Sequence, residues 1–170
     1  IQNHQLSVNG GTDAVQYLVS GSFFDQEGVV KESEFERYSF RVNLDINASE
    51  KLKFGNSLNV SRTINNAANV EVTTRMLGSF YAEYLFTKDL KFRTSVGADM
   101  ENRDRHVYQT SKFNNENPLN RANVSSVNRT SLLNENTLNY NKSIGDHNIS
   151  VLGGITAQKE IEEYQRITSL

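Results

Sequence analysis

Arg37-Tyr38-Ser39-Phe40-Arg41-Val42-Asn43-Leu44-Asp45-Ile46-Asn47 carries a large apolar residue at every even position and a polar or charged one at every odd position. Successive side chains of a β-strand point to opposite faces, so this segment makes one apolar face and one wet face. Alternation of this length exceeds the usual strand of a soluble domain. It matches the length at which a tilted strand crosses a bilayer.

Working outward, period-2 runs bounded by turn residues predict about eight strands. The first is a short run over residues 5–9. The second, over 14–24, sets Val15, Tyr17, Val19, Gly21 and Phe23 against Gln16, Ser20 and Ser22, with Leu18 breaking the pattern. The third is the opening stretch. The fourth, over 51–65, alternates Leu52, Phe54, Leu58, Val60 and Ile64 with Lys53, Gly55, Ser57, Asn59, Ser61 and Thr63. A fifth is expected near 78–87, with Phe80, Ala82, Tyr84 and Phe86 on its apolar face. The sixth runs from Leu90 through Phe92, Val96 and Ala98 to Met100, against Lys91, Arg93, Ser95, Gly97 and Asp99. A seventh is expected over 129–141 and an eighth over 147–158.

The expected connections alternate in kind. Short polar turns fall at 10–13, 48–50, 88–89 and 142–146, and longer links at 25–36, 66–77 and 101–128. Short and long links in rotation are the topology of an up-and-down barrel in an outer membrane, with tight periplasmic turns and long outer loops. Two tight turns lead into similar starts, Lys51-Leu52-Lys53-Phe54 and Asp89-Leu90-Lys91-Phe92. That echo is read as a repeating hairpin with an aromatic residue near one membrane interface.

The composition agrees. A net charge of -2 and a pI near 6.0 give no electrostatic reason to expect nucleic acid as a partner. Hydrophobic residues make up 36% and mean hydropathy is -0.58, and no apolar run reaches the roughly 20 residues of a membrane helix. Barrel strands are half polar and escape hydropathy windows, so these values fit a membrane barrel as well as a soluble domain. The chain has no cysteine, which excludes a disulfide framework and thiol chemistry. It starts at Ile1 and stops at Leu170 straight after a polar stretch, which reads as a piece of a longer protein.

No catalytic constellation is expected. His4, His106 and His147 are dispersed, without the spacing that would gather a metal. Asp99, Glu101 and Asp104 are interleaved with Arg103 and Arg105 and lack calcium-loop spacing, which reads as a solvated strand-to-loop junction. Gly10-Gly11 is expected in a turn and Gly153-Gly154 inside a strand. Neither an enzyme activity nor a cofactor or metal is expected. On a barrel wall Val42, Leu44, Val60, Phe80 and Val96 would face lipid. Arg37, Arg41, Asp45, Lys53, Arg93 and Asp99 would face the lumen and pair with a plug or with one another. Tyr108 and Phe113 are loop aromatics that could stack on sugar rings.

Several stretches carry a family resemblance. They are His4-Gln5-Leu6-Ser7-Val8-Asn9-Gly10-Gly11-Thr12, Tyr17-Leu18-Val19-Ser20-Gly21-Ser22, Asp25-Gln26-Glu27-Gly28-Val29-Val30-Lys31 and the run from Phe35 to Leu44. Tyr81-Ala82-Glu83-Tyr84 with Asp89-Leu90-Lys91-Phe92-Arg93, and Leu133-Asn134-Glu135-Asn136-Thr137-Leu138-Asn139-Tyr140, extend it. Together they resemble the barrel of SusC/RagA-type TonB-linked outer membrane proteins of the Bacteroidetes. The resemblance implies an all-β antiparallel meander, an open section of a 22-stranded barrel that in such transporters holds a plug. Residues 1–170 would be a partial barrel region, with the plug domain and TonB box outside it. The implied role is import of oligosaccharides or peptides across the outer membrane. The implied partners are the lipid bilayer, the plug of the parent chain, a SusD-like surface lipoprotein and TonB, with no nucleic acid. The connection between Asn65 and Thr73 is shorter than the resemblance leads one to expect.

Two other architectures fit the alternation. A soluble, carbohydrate-binding sandwich would pack two apolar sheet faces together. A closed eight-stranded barrel would fill its own interior with side chains, whereas the polar face here is rich in Ser, Gly, Asn and Thr and suits a wide wet lumen.

Overall fold

The computed structural model describes residues 1–30, 33–67, 69–109 and 121–169. They form eight strands: β1 (Gln2–Gly11), β2 (Val15–Glu27), β3 (Glu34–Asn47), β4 (Leu52–Asn66), β5 (Val70–Thr87), β6 (Leu90–Gln109), β7 (Arg121–Ile144) and β8 (His147–Ser169). All lie in one sheet in chain order, each antiparallel to its neighbours. One row across the sheet passes through Gly21, Phe40, Val60, Met76, Met100, Thr130 and Ile161. β1 and β8 are open edges.

This arrangement removes both alternatives. No second sheet faces the first, and no hydrophobic side chain among the described residues is buried. A sandwich would bury one face of each sheet. A closed small barrel would pair β8 with β1, and it does not. The fold is an all-β meander forming an open wall.

Several boundaries differ from the expectation. β5 begins at Val70 rather than near Gly78, so most of the long link expected over 66–77 is strand, and a three-residue connection joins β4 to β5. The strict rotation of short and long links fails at that point. β6 and β7 run through most of the link expected over 101–128, leaving residues 110–120 outside the described set. β8 continues to Ser169, well beyond the expected end at 158. Gly10 and Gly11 end β1, and the first turn covers 12–14. The reason is the same throughout. A strand inside a sheet is held by neighbour-to-neighbour hydrogen bonds, which continue past the point where side-chain alternation fades.

The apolar face is a band of limited height. It covers 15–23 on β2, 38–46 on β3, 90–100 on β6 and 149–157 on β8, each close to the 9–11 residues of a tilted transmembrane strand. Beyond it, on the side of the longer links, charged and amide residues enter the same face: Asp25 and Glu27 on β2, Glu36 and Glu34 on β3, Asn102 and Asp104 on β6, and Lys159 and Glu163 flanking Ile161 on β8. Aromatic residues gather near the other rim, where Phe54 meets Phe80 at 6.4 Å and Tyr84 meets Phe86 at 5.1 Å. Toward the polar rim Phe23 lies 5.0 Å from Tyr38. An apolar band between aromatic girdles is the external surface of a membrane barrel.

Candidate functional site

The register places the sequence-derived residues on two opposite faces without exception. Val42, Leu44, Val60, Phe80 and Val96 share the apolar face, where Phe80 and Val96 each leave about half their surface exposed (50% and 52%). Arg37, Arg41, Asp45, Lys53, Arg93 and Asp99 share the polar face.

Two sets of charges on the polar face knit adjacent strands together. Near the short-turn end, the Tyr81 hydroxyl on β5 donates to Asp45 on β3, passing over β4 at Gly55. A Cβ at Gly55 would lie 2.5 Å from Asp45 Oδ1, 2.6 Å from the Leu44 carbonyl oxygen and 2.8 Å from Tyr81 Cε1. Only glycine leaves room for the ring. The Arg93 guanidinium lies 4.3 Å from the Tyr81 ring centroid and pairs with Glu83 at 3.2 Å, and Lys91 pairs with the same carboxylate at 2.8 Å. Lys53 stands opposite Glu83 in register and makes no ion pair among the described residues.

Higher on the wall, Arg75 donates through two nitrogens to both oxygens of Asp99, at 2.9 and 2.6 Å. Arg103 meets Glu101 at 2.9 Å and Glu71 at 3.8 Å, and Arg129 meets Glu162 at 2.7 Å. The acidic group Asp99, Glu101 and Asp104 is therefore not a strand-to-loop junction. It lies within β6, and two of its members are neutralised by arginines of β5 and β6. A groove of about 480 Å³ follows this row between Arg75, Asp99, Arg129 and Glu160.

The β2–β3 side differs. Phe24 and Phe35 stand on the polar face with ring centroids 5.9 Å apart, and Arg37 lies 5.7 Å over the Phe24 ring. Alternation alone did not single out this pair, because each phenylalanine interrupts a polar row. A second groove, of about 420 Å³, runs from Arg41, Asn43, Ser57 and Asn59 toward Leu77 and Leu133.

The remaining candidates separate. Tyr108 belongs to β6 rather than a loop and extends the row of the apolar face, 65% exposed, while Phe113 lies outside the described residues. The histidines fall on β1, β6 and β8, and His4 stacks on Phe23 with centroids 6.5 Å apart. Asp25, Glu34 and Glu36 bring carboxylate oxygens within 4.8 Å of one another just past the apolar band. Sequence reading missed this group because its members meet only through the β2–β3 register. Exposed acidic clusters are common without an ion, and it supports no assignment.

No family model matches the chain. Two curated relatives from Formosa agariphila do: TonB-dependent receptor P26, 31% identical, and TonB-dependent receptor P3, 28% identical, each over 94% of this chain. Over nearly its whole length the chain is homologous to one stretch of these TonB-dependent receptors. It spans 21% of the length of either relative. The aligned spans of 208 and 219 residues exceed the chain's own 170, so both relatives carry insertions that this wall lacks. Among solved structures, this wall superposes on the RagAB peptide importer with a TM-score of 0.78, at 17% identity over 98% of this chain and 28% of that one. It superposes on the ferric citrate transporter FecA with a TM-score of 0.81, at 14% identity over 98% of this chain and 27% of that one. Those likenesses bear on fold: the eight-stranded meander matches a stretch of their barrel walls.

Proposed function

We propose that this chain is a lumen-lining wall section of an outer-membrane, TonB-energised importer of the SusC/RagA type, a transporter rather than an enzyme. The observation that carries the reading is the two-faced sheet. A lipid-sized apolar band on one side is backed by a hydrated, ion-paired surface on the other. Val42, Leu44, Val60, Phe80 and Val96 face lipid. Arg37, Arg41, Asp45, Lys53, Arg93 and Asp99 face the lumen, where some brace the wall and others are open to a plug or a solute.

The imported nutrient is an oligosaccharide or a peptide, received with the help of a SusD-like surface lipoprotein. The plug and the TonB-contacting segment belong to the parent chain. The RagAB likeness supports this reading through fold, and the TonB-dependent receptors of Formosa agariphila support it through sequence. The test is energy-coupled uptake by the full-length protein in its own cells. Accumulation of the nutrient should stop when TonB is deleted or the proton gradient is collapsed. Uptake that persists under both conditions would reduce the protein to a passive pore and overturn the proposal.

A further inference from the structure

On the polar face the two halves of the wall carry charge differently. From β5 onward, Arg75, Arg93, Arg103 and Arg129 each hold a carboxylate partner. Across β1 to β4 the same face carries a single carboxylate, Asp45, and Tyr81 engages it. Arg37 and Arg41 have no carboxylate partner among the described residues, although both point to that face. The wall has thus paired these four arginines with carboxylates on one side, and on the other Arg37, Arg41 and Lys53 have no carboxylate partner among the described residues, the two arginines standing together on β3.

Arg37 is held in place. The Arg37 guanidinium lies over the Phe24 ring, which is braced by Phe35. Stacking supports the flat face of a guanidinium and leaves its N–H edge for an acceptor. Arg41 stands at one end of the 420 Å³ groove, a volume within the range of small-ligand sites. Four residues along a strand separate the two arginines by about 13 Å, so they meet different anionic groups of one extended ligand. Between and beside them lie Ser22, Ser39, Asn43, Ser57 and Asn59. The Ser57 hydroxyl donates to Asn43 Oδ1 at 2.8 Å, which leaves the Asn43 amide hydrogens for a ligand.

We propose that this strip, Arg37 on Phe24 together with Arg41 and its groove, binds an acidic oligosaccharide. Planar guanidinium forks match carboxylate or sulfate groups, and a lawn of amides and hydroxyls matches sugar hydroxyls. A peptide would instead require apolar pockets at alternate positions; on this half of the polar face the apolar side chains are Leu18 and the Phe24–Phe35 pair, which do not form an alternating row. The proposal rests on the importer reading above and narrows its nutrient.

The experiment uses cells in which the full-length protein and its surface lipoprotein are the uptake system. They are offered four ladders of matched length in parallel: neutral oligosaccharides, uronate-bearing oligosaccharides, sulfated oligosaccharides and peptides. Depletion from the medium is measured with TonB present and deleted. Depletion of a uronate or sulfated ladder, and not of the neutral sugars or peptides, is the expected result, and the ladder that is taken up identifies the anion. Loss of two charged hydrogen-bonding groups should lower the rate in Arg37→Gln/Arg41→Gln about tenfold or more. Arg37→Lys/Arg41→Lys should recover part of the rate, and both variants should show wild-type band-shift folding. TonB-dependent uptake of neutral sugars or peptides would overturn the acidic-sugar assignment and leave the importer reading intact. Unchanged acidic uptake in the glutamine variant would do the same, giving these arginines to the plug. TonB-independent depletion, or none of any ladder, would overturn both.

Discussion

The Tyr81 hydroxyl donates to the Asp45 carboxylate from two strands away, its ring lying across β4 at Gly55. Three consecutive strands are tied by one aromatic ring, and the tie exists only because the middle strand has no side chain there. Gly55→Ala would put a methyl group 2.5–2.8 Å from the Asp45 carboxylate, the Leu44 carbonyl oxygen and the Tyr81 ring, closer than contact allows. A cost of about 1–3 kcal/mol is expected from such overpacking. Tyr81→Phe keeps the ring over the glycine and loses one hydrogen bond, about 1 kcal/mol. Urea unfolding of the full-length protein in liposomes checks the order, with the glycine variant the weaker of the two.

Val42 and Asn43 are neighbours in β3 with opposite surroundings. An arginine in hydrocarbon loses its hydration without a partner, and in barrels the penalty is about 2–4 kcal/mol at the bilayer midplane. Val42→Arg should therefore impair insertion of the full-length protein, while Asn43→Arg stays near neutral because lumen water solvates the guanidinium. Side-by-side band-shift folding yields in detergent decide it, and equal losses would invert the assignment of faces.

The ion pair between Arg75 and Asp99 is bidentate but partly open to water, with 51% and 32% of the two side chains exposed. Its worth should be modest. A double-mutant cycle with Arg75→Ala and Asp99→Ala is expected to give a coupling of about 0.5–1 kcal/mol, falling in 1 M salt as the Debye length shrinks to about 3 Å. A coupling of several kcal/mol that ignores salt would show that the pair is shielded in the assembled protein.

The 170 residues expressed alone should not behave as a soluble monomer. The apolar face leaves Phe40, Phe80, Val96, Val151 and Ile155 exposed, and β1 and β8 each present an unpaired row of backbone groups. Sedimentation in plain buffer should show aggregates, and detergent should disperse them. A monodisperse, cooperatively unfolding monomer in buffer would contradict the membrane reading.

Sequence determined the architecture because strand alternation is a local property. The run from Arg37 to Asn47 shows its two faces without reference to any neighbour, and so do the runs beginning at Leu52 and Leu90. It also puts Val42 and Arg41 on opposite faces of the sheet, as the register does. β7 was only partly legible because Asn134 and Asn136 stand in its apolar row, where Asn134 donates to the Ser95 carbonyl at 3.1 Å and Asn136 donates to Asn134 at 2.6 Å. Asn136 finds its partner within β7 itself, but the Asn134 amide finds one only once β6 lies alongside. Strand ends, the three-residue β4–β5 connection and the length of β8 were likewise decided by hydrogen bonding between strands. The site belongs to the same class. Asp45 and Tyr81 are 36 residues apart, as their hydrogen bond spans that interval of chain, and nothing in either residue's local sequence pairs them. The absence of a carboxylate beside Arg37 and Arg41 is a fact about register across four strands. Local alternation tells which face a side chain takes, but which charges meet is settled only when the strands align, because Coulomb and hydrogen-bond partners are chosen by distance in space.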